Sequence, residues 1–175
     1  MSAKFVRRLG LLALAFTTFV AVEASRFGAV KAQSDPLAAN KKLVQDFVAA
    51  LNSHDLSLLD SITSDKYVEH NPFTPPDAPP GIDTFKMSAS GILAAFPDVV
   101  VTIDVILAEG DLVASRHSVK ATNKGAFNGI PATNKEVTWT ENHLWRIEDG
   151  KIVEHWAELN AIGLLTQLGA MPAAK

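Results

Sequence analysis

Apolar and polar side chains alternate along residues 137–147 in the manner of a β-strand with one buried face. Successive strand side chains point to opposite sides of a sheet, so every second residue shares a face. That face is apolar except at Glu141 and His143, which are candidate functional groups because burial and nearby charges shift pKa values most in such surroundings. A pair of satisfied core polar residues is the alternative. The face consists of Val137, Trp139, Glu141, His143, Trp145 and Ile147.

A second strand and a short helix complete this part of the chain. Asp149-Gly150 is typical of a tight hairpin turn, and residues 151–160 continue as a strand in which neither face is cleanly apolar. His155 and Trp156 are adjacent and face opposite sides of a regular strand, so the pattern leaves room for a bulge. The stretch ends in a helix that closes near Gly169.

Three helices are predicted in the first half of the chain. The first begins at Asp35-Pro36, a helix cap followed by proline at the first helical position. A second, shorter helix begins at Asp55, and a third lies between Gly81 and Pro97. Their apolar residues recur at helical spacing, which predicts a core-facing stripe on each helix.

A proline-rich loop precedes the third helix. Five of the nine prolines lie within residues 72–80, which predicts a stiff loop in place of a helix or strand. Loops of this kind commonly border pockets. His70 and Asn71 stand at the mouth of this loop and are candidate ligand contacts.

The spacing becomes extended from Val99 onward. Residues 99–107 and 112–121 are predicted as two strands joined by a turn, and residues 122–135 as an excursion between strands. Helices followed by a run of antiparallel strands predict an α+β domain in which helices cover one side of a curved sheet. The sequence contains no visible repeat or second domain.

The first 32 residues have the pattern of an export signal. A basic segment that ends at Arg8 precedes the uncharged apolar run from Leu9 to Val22, which is too short to span a bilayer comfortably. Cleavage after Ala32 is preferred, and cleavage after Ala24 is the alternative. We therefore expect one exported domain at residues 33–175, periplasmic or extracellular, without a stable membrane anchor after cleavage.

Charge and cysteine content exclude several classes of function. Residues 1–32 hold five of the 16 basic and one of the 19 acidic side chains, so 11 basic and 18 acidic side chains remain and the net charge is −7. Nucleic acid and anionic lipid surfaces are therefore poor candidate partners. The absence of cysteine excludes disulfides, a thiolate nucleophile, cysteine-ligated zinc and a lipoprotein anchor.

No compact metal or nucleotide motif is present in the sequence. The gaps separating His70, His117, His143 and His155 match no helical or finger-type metal spacing, although ligands can still converge from distant strands. The sequence also lacks a Gly-x-Gly-x-x-Gly motif, a phosphate loop and a Gly-x-Ser-x-Gly elbow. We expect neither a metal nor a cofactor.

Six short segments resemble one known family. In order and spacing they are similar to the SnoaL-like polyketide cyclase and ester cyclase family of the nuclear-transport-factor-two-like superfamily, over essentially the whole mature chain. The resemblance implies a cone-shaped α+β fold: a curved antiparallel sheet wrapped by three N-terminal helices, with a short C-terminal helix and one apolar pocket. The segments are residues 52–56 (NSHDL), 67–72 (YVEHNP), 95–98 (AFPD), 108–111 (AEGD), 125–131 (GAFNGIP) and 148–156 (EDGKIVEHW).

The resemblance also implies a reaction, from which the sequence departs at one position. Characterised cyclases of the family close a polyketide ring by an intramolecular aldol step without a cofactor, and an aspartate soon after the last strand serves as acid and base. The matching position here is Asn160, whose amide can donate a hydrogen bond to an enolate but cannot shuttle a proton. Either His143, His155, His70 or Glu158 serves as the base, or the protein is not a cyclase of that type.

We therefore expect an exported protein that binds a small, largely apolar carbonyl compound and catalyses cofactor-free acid–base chemistry such as aldol cyclisation or isomerisation. A non-catalytic carrier of a small hydrophobic molecule is the alternative, and a unit that serves mainly to form a homodimer is a third. The expected catalytic residues are His143, His155 and Asn160. The expected ligand contacts are His70, Asn71, Trp139, Glu141, Trp145, Trp156 and Glu158.

Overall fold

The computed structural model describes residues 35–71, 74 and 77–172. The signal peptide predicted at residues 1–32 and its two cleavage sites lie outside the described residues, so export stays a prediction. Parts of the proline-rich loop also lie outside them. Across the described ranges, no helix is long and apolar enough to cross a membrane.

The helices form where the sequence predicts them. Helix α1 spans Pro36–Ser53, a 3-10 helix spans Leu56–Ser61, α2 spans Ile82–Ala95 and α3 spans Ala161–Leu168. The carboxylates that precede the first two helices each accept a hydrogen bond from a backbone amide two residues later. These caps satisfy N–H groups that have no partner within the helix.

Five strands form one sheet in the spatial order β1-β5-β4-β3-β2. Strands β2 to β5 pair in antiparallel fashion, whereas β1 joins β5 in parallel. The α+β fold with a curved, unclosed sheet and helices is confirmed. Strand β1, which the apolar pattern did not predict, lies before α2, and its parallel pairing departs from the wholly antiparallel sheet that the resemblance implied. The strands are β1 (Thr63–Glu69), β2 (Val100–Glu109), β3 (Leu112–Thr122), β4 (Glu136–Glu148) and β5 (Lys151–Leu159).

A bulge in β5 decides which of its side chains point inward. Arg146 pairs with Glu154 and the next residue of β4 pairs with Ile152, so Val153 is left without a partner in β4. An extra residue of this kind reverses the alternation of side chains along the strand. Ile152 and His155 are consequently both buried, although they lie three positions apart.

The core consists of two apolar clusters that the concave sheet face shares with the helices. One cluster joins α1 to the far end of β4, where the rings of Phe47 and Trp145 meet edge to face at 4.7 Å. The other lies around Phe96, Trp139 and Leu164. Full burial of such a side chain stabilises a fold by about 1.5–3 kcal/mol. Glu141 and His143 lie between the two clusters along β4.

The excursion between β3 and β4 is held by one buried amide. Asn123 is fully buried; its Nδ2 donates to the Gly125 carbonyl at 2.7 Å and its Oδ1 accepts from the Thr133 amide at 2.8 Å. A Cβ at Gly125 would lie only 2.4 Å from the Ala94 carbonyl oxygen, so glycine allows this segment to pack against the end of α2. Residues 126–128 thereby reach the space beneath the sheet.

Candidate active site

A cavity of about 600 Å³ lies between the helices and the concave face of the sheet. Aliphatic and aromatic side chains from α1, α2, α3 and the excursion form most of its wall. Among the described residues, no lysine or arginine lines it. The titratable groups on the wall are Glu69, His117, Glu141, His143 and His155.

Two carboxylates and two imidazoles on this wall form a continuous chain of hydrogen bonds. Glu69 Oε2 lies 2.9 Å from His155 Nδ1, His155 Nε2 lies 2.9 Å from His143 Nδ1, and His143 Nε2 lies 3.1 Å from Glu141 Oε2. We call these four residues the inner network. Their side chains are 3, 1, 9 and 21% exposed in the order Glu69, His155, His143 and Glu141.

Strand pairing explains why these residues meet. Glu69 at the end of β1 is the parallel partner of His155, and the β5 bulge turns His155 inward. Glu141 and His143 are two positions apart on the inner face of β4, as the alternating pattern predicts. The chain of hydrogen bonds thus crosses three neighbouring strands.

Outer donors fix both ends of the inner network. At one end the Tyr67 hydroxyl donates to Glu69 Oε2 at 2.6 Å, and the Asn71 backbone amide donates to Glu69 Oε1 at 3.1 Å. At the other end Trp139 Nε1 donates to Glu141 Oε1 at 2.7 Å. Buried carboxylates that accept several such hydrogen bonds are favoured in the ionised form.

Aromatic packing fixes the imidazole rings. The His155 ring stacks on Trp145 with centroids 4.0 Å apart, and the edge of Phe85 meets it at 5.8 Å. His143 is nearly parallel to His155, with an interplanar angle of 11°. Because the rings are packed on their faces, they are restricted to the orientation that makes the hydrogen bonds.

Burial and hydrogen bonding act in opposite directions on the carboxylates. Burial disfavours the charge of Glu69, but His155, Tyr67 and the Asn71 amide outweigh it and hold the pKa of Glu69 below its usual value. The pKa of Glu141 is likewise lowered, because His143 and Trp139 outweigh its burial. Burial lowers the pKa of His155 although Glu69 favours its protonated form. Both carboxylates are therefore ionised at neutral pH.

The three hydrogen bonds of the inner network require one proton more than two neutral rings provide. Each bond requires a proton, whereas two ionised carboxylates supply none and two neutral imidazoles supply two. His155 donates through Nδ1 and its lowered pKa favours the neutral ring. All three hydrogen bonds form together only when both ring nitrogens of His143 carry a proton.

His117 is a buried imidazole beside the inner network. It is 2% exposed, and no hydrogen-bond partner for its Nε2 is found among the described residues. Burial first, and then the neighbouring His143, lower the pKa of His117 to about 4, so the ring is neutral at pH 7. Its centroid lies 4.3 Å from that of His143.

Sequence analysis did not select His117 or Glu69 as site residues. A signal for His117 exists in the sequence, because inner-face positions of β3 alternate as Val113, Ser115, His117 and Val119. Its cross-strand partner is Glu141, which only the register reveals. For Glu69 the signal is weaker, since β1 is short and largely polar.

One group of side chains brings potential metal ligands together within the described part of the chain. His117, Glu141 and His143 each place a ligand atom within 4.8 Å of the others. However, the His117 and His143 rings lie close to each other, tilted by 32° with centroids 4.3 Å apart. His143 Nε2 is also engaged with Glu141. The expectation of no metal stays a prediction.

The structure brings six of the ten predicted site residues to the cavity and leaves four outside its lining. His70 and Trp156 instead stack on each other with centroids 4.5 Å apart, and Glu158 and Asn160 are exposed. Because Trp156 follows His155 in the strand, the β5 bulge that turns His155 inward turns Trp156 outward. The six that line the cavity are Asn71, Trp139, Glu141, His143, Trp145 and His155.

Asn160 caps helix α3. Its Oδ1 accepts a hydrogen bond from the Gly163 backbone amide at 3.0 Å, which is a common arrangement for asparagine at a helix start. The side chain therefore stabilises the closing helix.

A second group of charged and aromatic residues lies on the opposite face of β4 and β5. Glu154 bonds both His70 Nε2 at 3.1 Å and Arg146 Nε at 3.2 Å, and Arg146 also bonds Asp111. The Arg146 guanidinium lies 6.0 Å from the ring centroid of Trp156. We call these five residues the outer network.

Comparisons with known proteins agree with this geometry. The profile of the SnoaL-like polyketide cyclases matches residues 41–168. AclR, a putative hydroxylase from Streptomyces galilaeus, is 35% identical, with 79% of this chain and 86% of AclR covered and a TM-score of 0.70. IdmH, a putative polyketide cyclase from Streptomyces antibioticus, is 33% identical, with 74 and 98% covered and a TM-score of 0.66.

A third solved structure, TsrD from Streptomyces laurentii, is 28% identical, with 77% of this chain and 97% of TsrD covered and a TM-score of 0.70. A search of curated proteins found no match. The family profile covers well over half of the chain, and the described fold has the expected order of helices and strands. This chain belongs to the SnoaL-like polyketide cyclase family.

Proposed function

We propose that this protein binds a small, largely apolar carbonyl compound and catalyses a cofactor-free proton transfer on it, such as an aldol cyclisation or an isomerisation. The observation that carries the proposal is the contact of 3.1 Å between the Glu141 carboxylate and His143 Nε2 on the wall of an apolar cavity. A carrier needs only apolar walls, whereas buried groups with shifted pKa values are typical of catalytic sites. Family membership supports the same proposal.

Glu141 and His143 have different roles in the proposed reaction. Because hydrogen bonds engage both ring nitrogens of His143, we assign the proton-accepting atom to the Glu141 carboxylate. Glu141 takes a proton from the carbon beside the ligand carbonyl, and the electrons of that C–H bond form an enolate. We propose that His143 carries a proton on each ring nitrogen in this step, so that its positive charge offsets the charge that develops. Positioned acids and bases of this kind accelerate reactions by roughly 10²–10⁴-fold.

The proton balance closes in either reaction. In an aldol cyclisation the enolate carbon forms a bond to a second carbonyl carbon, and Glu141 returns its proton to the resulting alkoxide. In the isomerisation of a β,γ-unsaturated carbonyl compound the intermediate is a dienolate, and Glu141 returns the proton to its γ carbon, which moves the double bond into conjugation. No oxidant, reductant or cofactor is needed in either case.

Hydrogen–deuterium exchange tests the proton transfer without knowledge of the natural substrate. The probe is 2-tetralone, an apolar ketone with acidic protons beside its carbonyl, followed by proton NMR in D₂O. We expect the protein to accelerate exchange, and Glu141→Gln and His143→Gln each to lower the rate by roughly 10²–10⁴-fold. His54→Asn is the matched control, since His54 is exposed and has a positive φ that asparagine tolerates.

Two results contradict the proposal. If the Glu141 and His143 variants exchange 2-tetralone as fast as the unchanged protein, the acid–base assignment is wrong. If the unchanged protein binds 2-tetralone without accelerating exchange, the carrier alternative is favoured.

We also propose that two chains pair through the outer face of the sheet. Four apolar side chains, Leu107, Ala114, Leu144 and Trp156, are consecutive cross-strand partners on that face, and Leu107 is 65% exposed. An apolar row on a sheet surface is typical of an interaction site. A monomeric mass in sedimentation equilibrium at micromolar concentration would contradict this pairing.

A further inference from the structure

We infer that the cavity selects uncharged ligands and that the ligand's oxygen atom forms a hydrogen bond with His117 Nε2. This inference rests on the proposed function, because it names the substrate class of the same site. It assigns a binding role to a side chain outside the inner network.

One ring nitrogen of His117 is an unpaired polar atom. His117 lines the cavity, and its Nε2 is buried and has no partner among the described residues. An unpaired buried polar atom destabilises the empty cavity. A ligand oxygen that reaches this nitrogen removes that destabilisation, whereas a hydrocarbon ligand leaves it in place.

The second argument is the charge of the cavity wall. The pKa values of Glu69 and Glu141 are both lowered, so two negative charges lie on the wall at neutral pH, and the proton proposed for His143 offsets one of them. No lysine or arginine of the described chain lies on the wall to offset an anionic ligand. Like charges that meet away from water cost several kcal/mol, so the cavity disfavours a carboxylate or a phosphate.

The third argument is the character of the remaining wall. Residues such as Phe47, Phe85 and Phe127 contribute ring faces and edges, which suit a flat apolar body. A ligand of this class is therefore an uncharged ring compound with a carbonyl or hydroxyl oxygen near His117.

Three probes of the same shape separate these contributions. They are 2-acetylnaphthalene, an uncharged ketone, 2-naphthoate, an anion, and 2-ethylnaphthalene, a hydrocarbon. Affinities are measured by isothermal titration calorimetry at neutral pH. We expect the ketone to bind about tenfold more tightly than the hydrocarbon, and the anion to bind most weakly.

Variants of His117 test the assigned hydrogen bond. His117→Phe fills the position without a polar atom, so we expect the ketone and the hydrocarbon to bind equally well. His117→Gln places an amide near the same point, and we expect it to restore most of the preference for the ketone. His54→Asn, away from the cavity, should leave all three affinities unchanged.

Each contrary result has a distinct meaning. If 2-naphthoate binds as tightly as the ketone, or if none of the probes binds, the inferred selection is wrong. If His117→Phe keeps the preference for the ketone, the assignment of His117 is wrong. The proposed catalysis fails separately, because slow exchange of 2-tetralone by the unchanged protein is compatible with selective binding of the naphthalene probes.

Discussion

Strands β4 and β5 carry a histidine–glutamate network on each of their two faces, and burial distinguishes them. In the inner network the side chains of His155 and Glu69 are 1 and 3% exposed, whereas His70 and Glu154 of the outer network are 36 and 30% exposed. The residue types and hydrogen-bond distances are similar. Solvent screens the outer charges, so exposed ion pairs contribute about 0–1 kcal/mol, whereas loss of one partner from a buried pair costs about 3–5 kcal/mol.

The two networks differ in burial although residues of both are adjacent in the sequence of β5. His155 and Trp156 are neighbours, yet the β5 bulge sends one ring to the cavity and the other to the outer face. Whether a cluster of histidine and glutamate is suited to catalysis therefore depends more on the face of the sheet that it occupies than on its residue types. The predictions below separate the two faces.

The largest expected difference is in stability. Glu69 accepts hydrogen bonds from Tyr67, His155 and the Asn71 amide. We expect Glu69→Gln to lower the free energy of unfolding by roughly 3 kcal/mol, because an amide cannot accept from all three donors and leaves a buried donor without its partner. Glu154→Gln, the matched change in the outer network, should cost at most about 1 kcal/mol.

Urea unfolding followed by tryptophan fluorescence measures both values. Equal losses for the Glu69 and Glu154 variants would show that the two faces of the sheet do not differ in the way described.

A second prediction concerns the pH dependence of stability. The pKa of His117 is lowered to about 4, while an unfolded chain takes up this proton near pH 6.5. Between these values the unfolded state binds more protons, so the free energy of unfolding falls as the pH drops from 6.5 to 4, by up to about 3 kcal/mol from this group. Glu69 and Glu141, whose pKa values are also lowered, add a further loss at lower pH.

His117→Gln isolates this contribution. The variant cannot take up the proton, so its stability should fall less steeply between pH 6.5 and 4 than that of the unchanged protein. A slope identical to that of the unchanged protein would contradict the buried neutral state of His117, whereas His54→Asn should keep the original slope.

The smallest expected effect is at Asn160. Its side chain caps α3 and lies outside the cavity lining, so Asn160→Ala should cost about 1 kcal/mol of stability. Asn160→Asp keeps a capping oxygen and should retain stability. Neither variant should change the rate of 2-tetralone exchange. Faster exchange by Asn160→Asp would place this position in the chemistry after all.

Much of the fold could be predicted from local pattern. The inner face of β4, the helix caps and the hairpin at Asp149-Gly150 all follow from short-range periodicity and turn chemistry. The cone-shaped sheet and its pocket were expected from the resemblance to the family.

Which residues form the site could not be predicted in full from the periodicity of the sequence. Strand β1 is short and polar, and its pairing with β5 is set by contacts distant in sequence, so Glu69 was not selected. The β3–β4 register brings His117 opposite Glu141. The β5 bulge decides between His155 and Trp156. Each of these is a property of pairing between strands, which one strand's sequence does not specify.

We propose that the buried His143–His155 pair carries one additional proton, located on His143 beside the Glu141 carboxylate. NMR of protein with ¹⁵N-labelled histidine at neutral pH observes this directly, and His143→Gln identifies the signals. The account predicts two protonated nitrogens in the ring of His143 and, in the ring of His155, a proton on Nδ1 alone. One protonated nitrogen in each ring would contradict it.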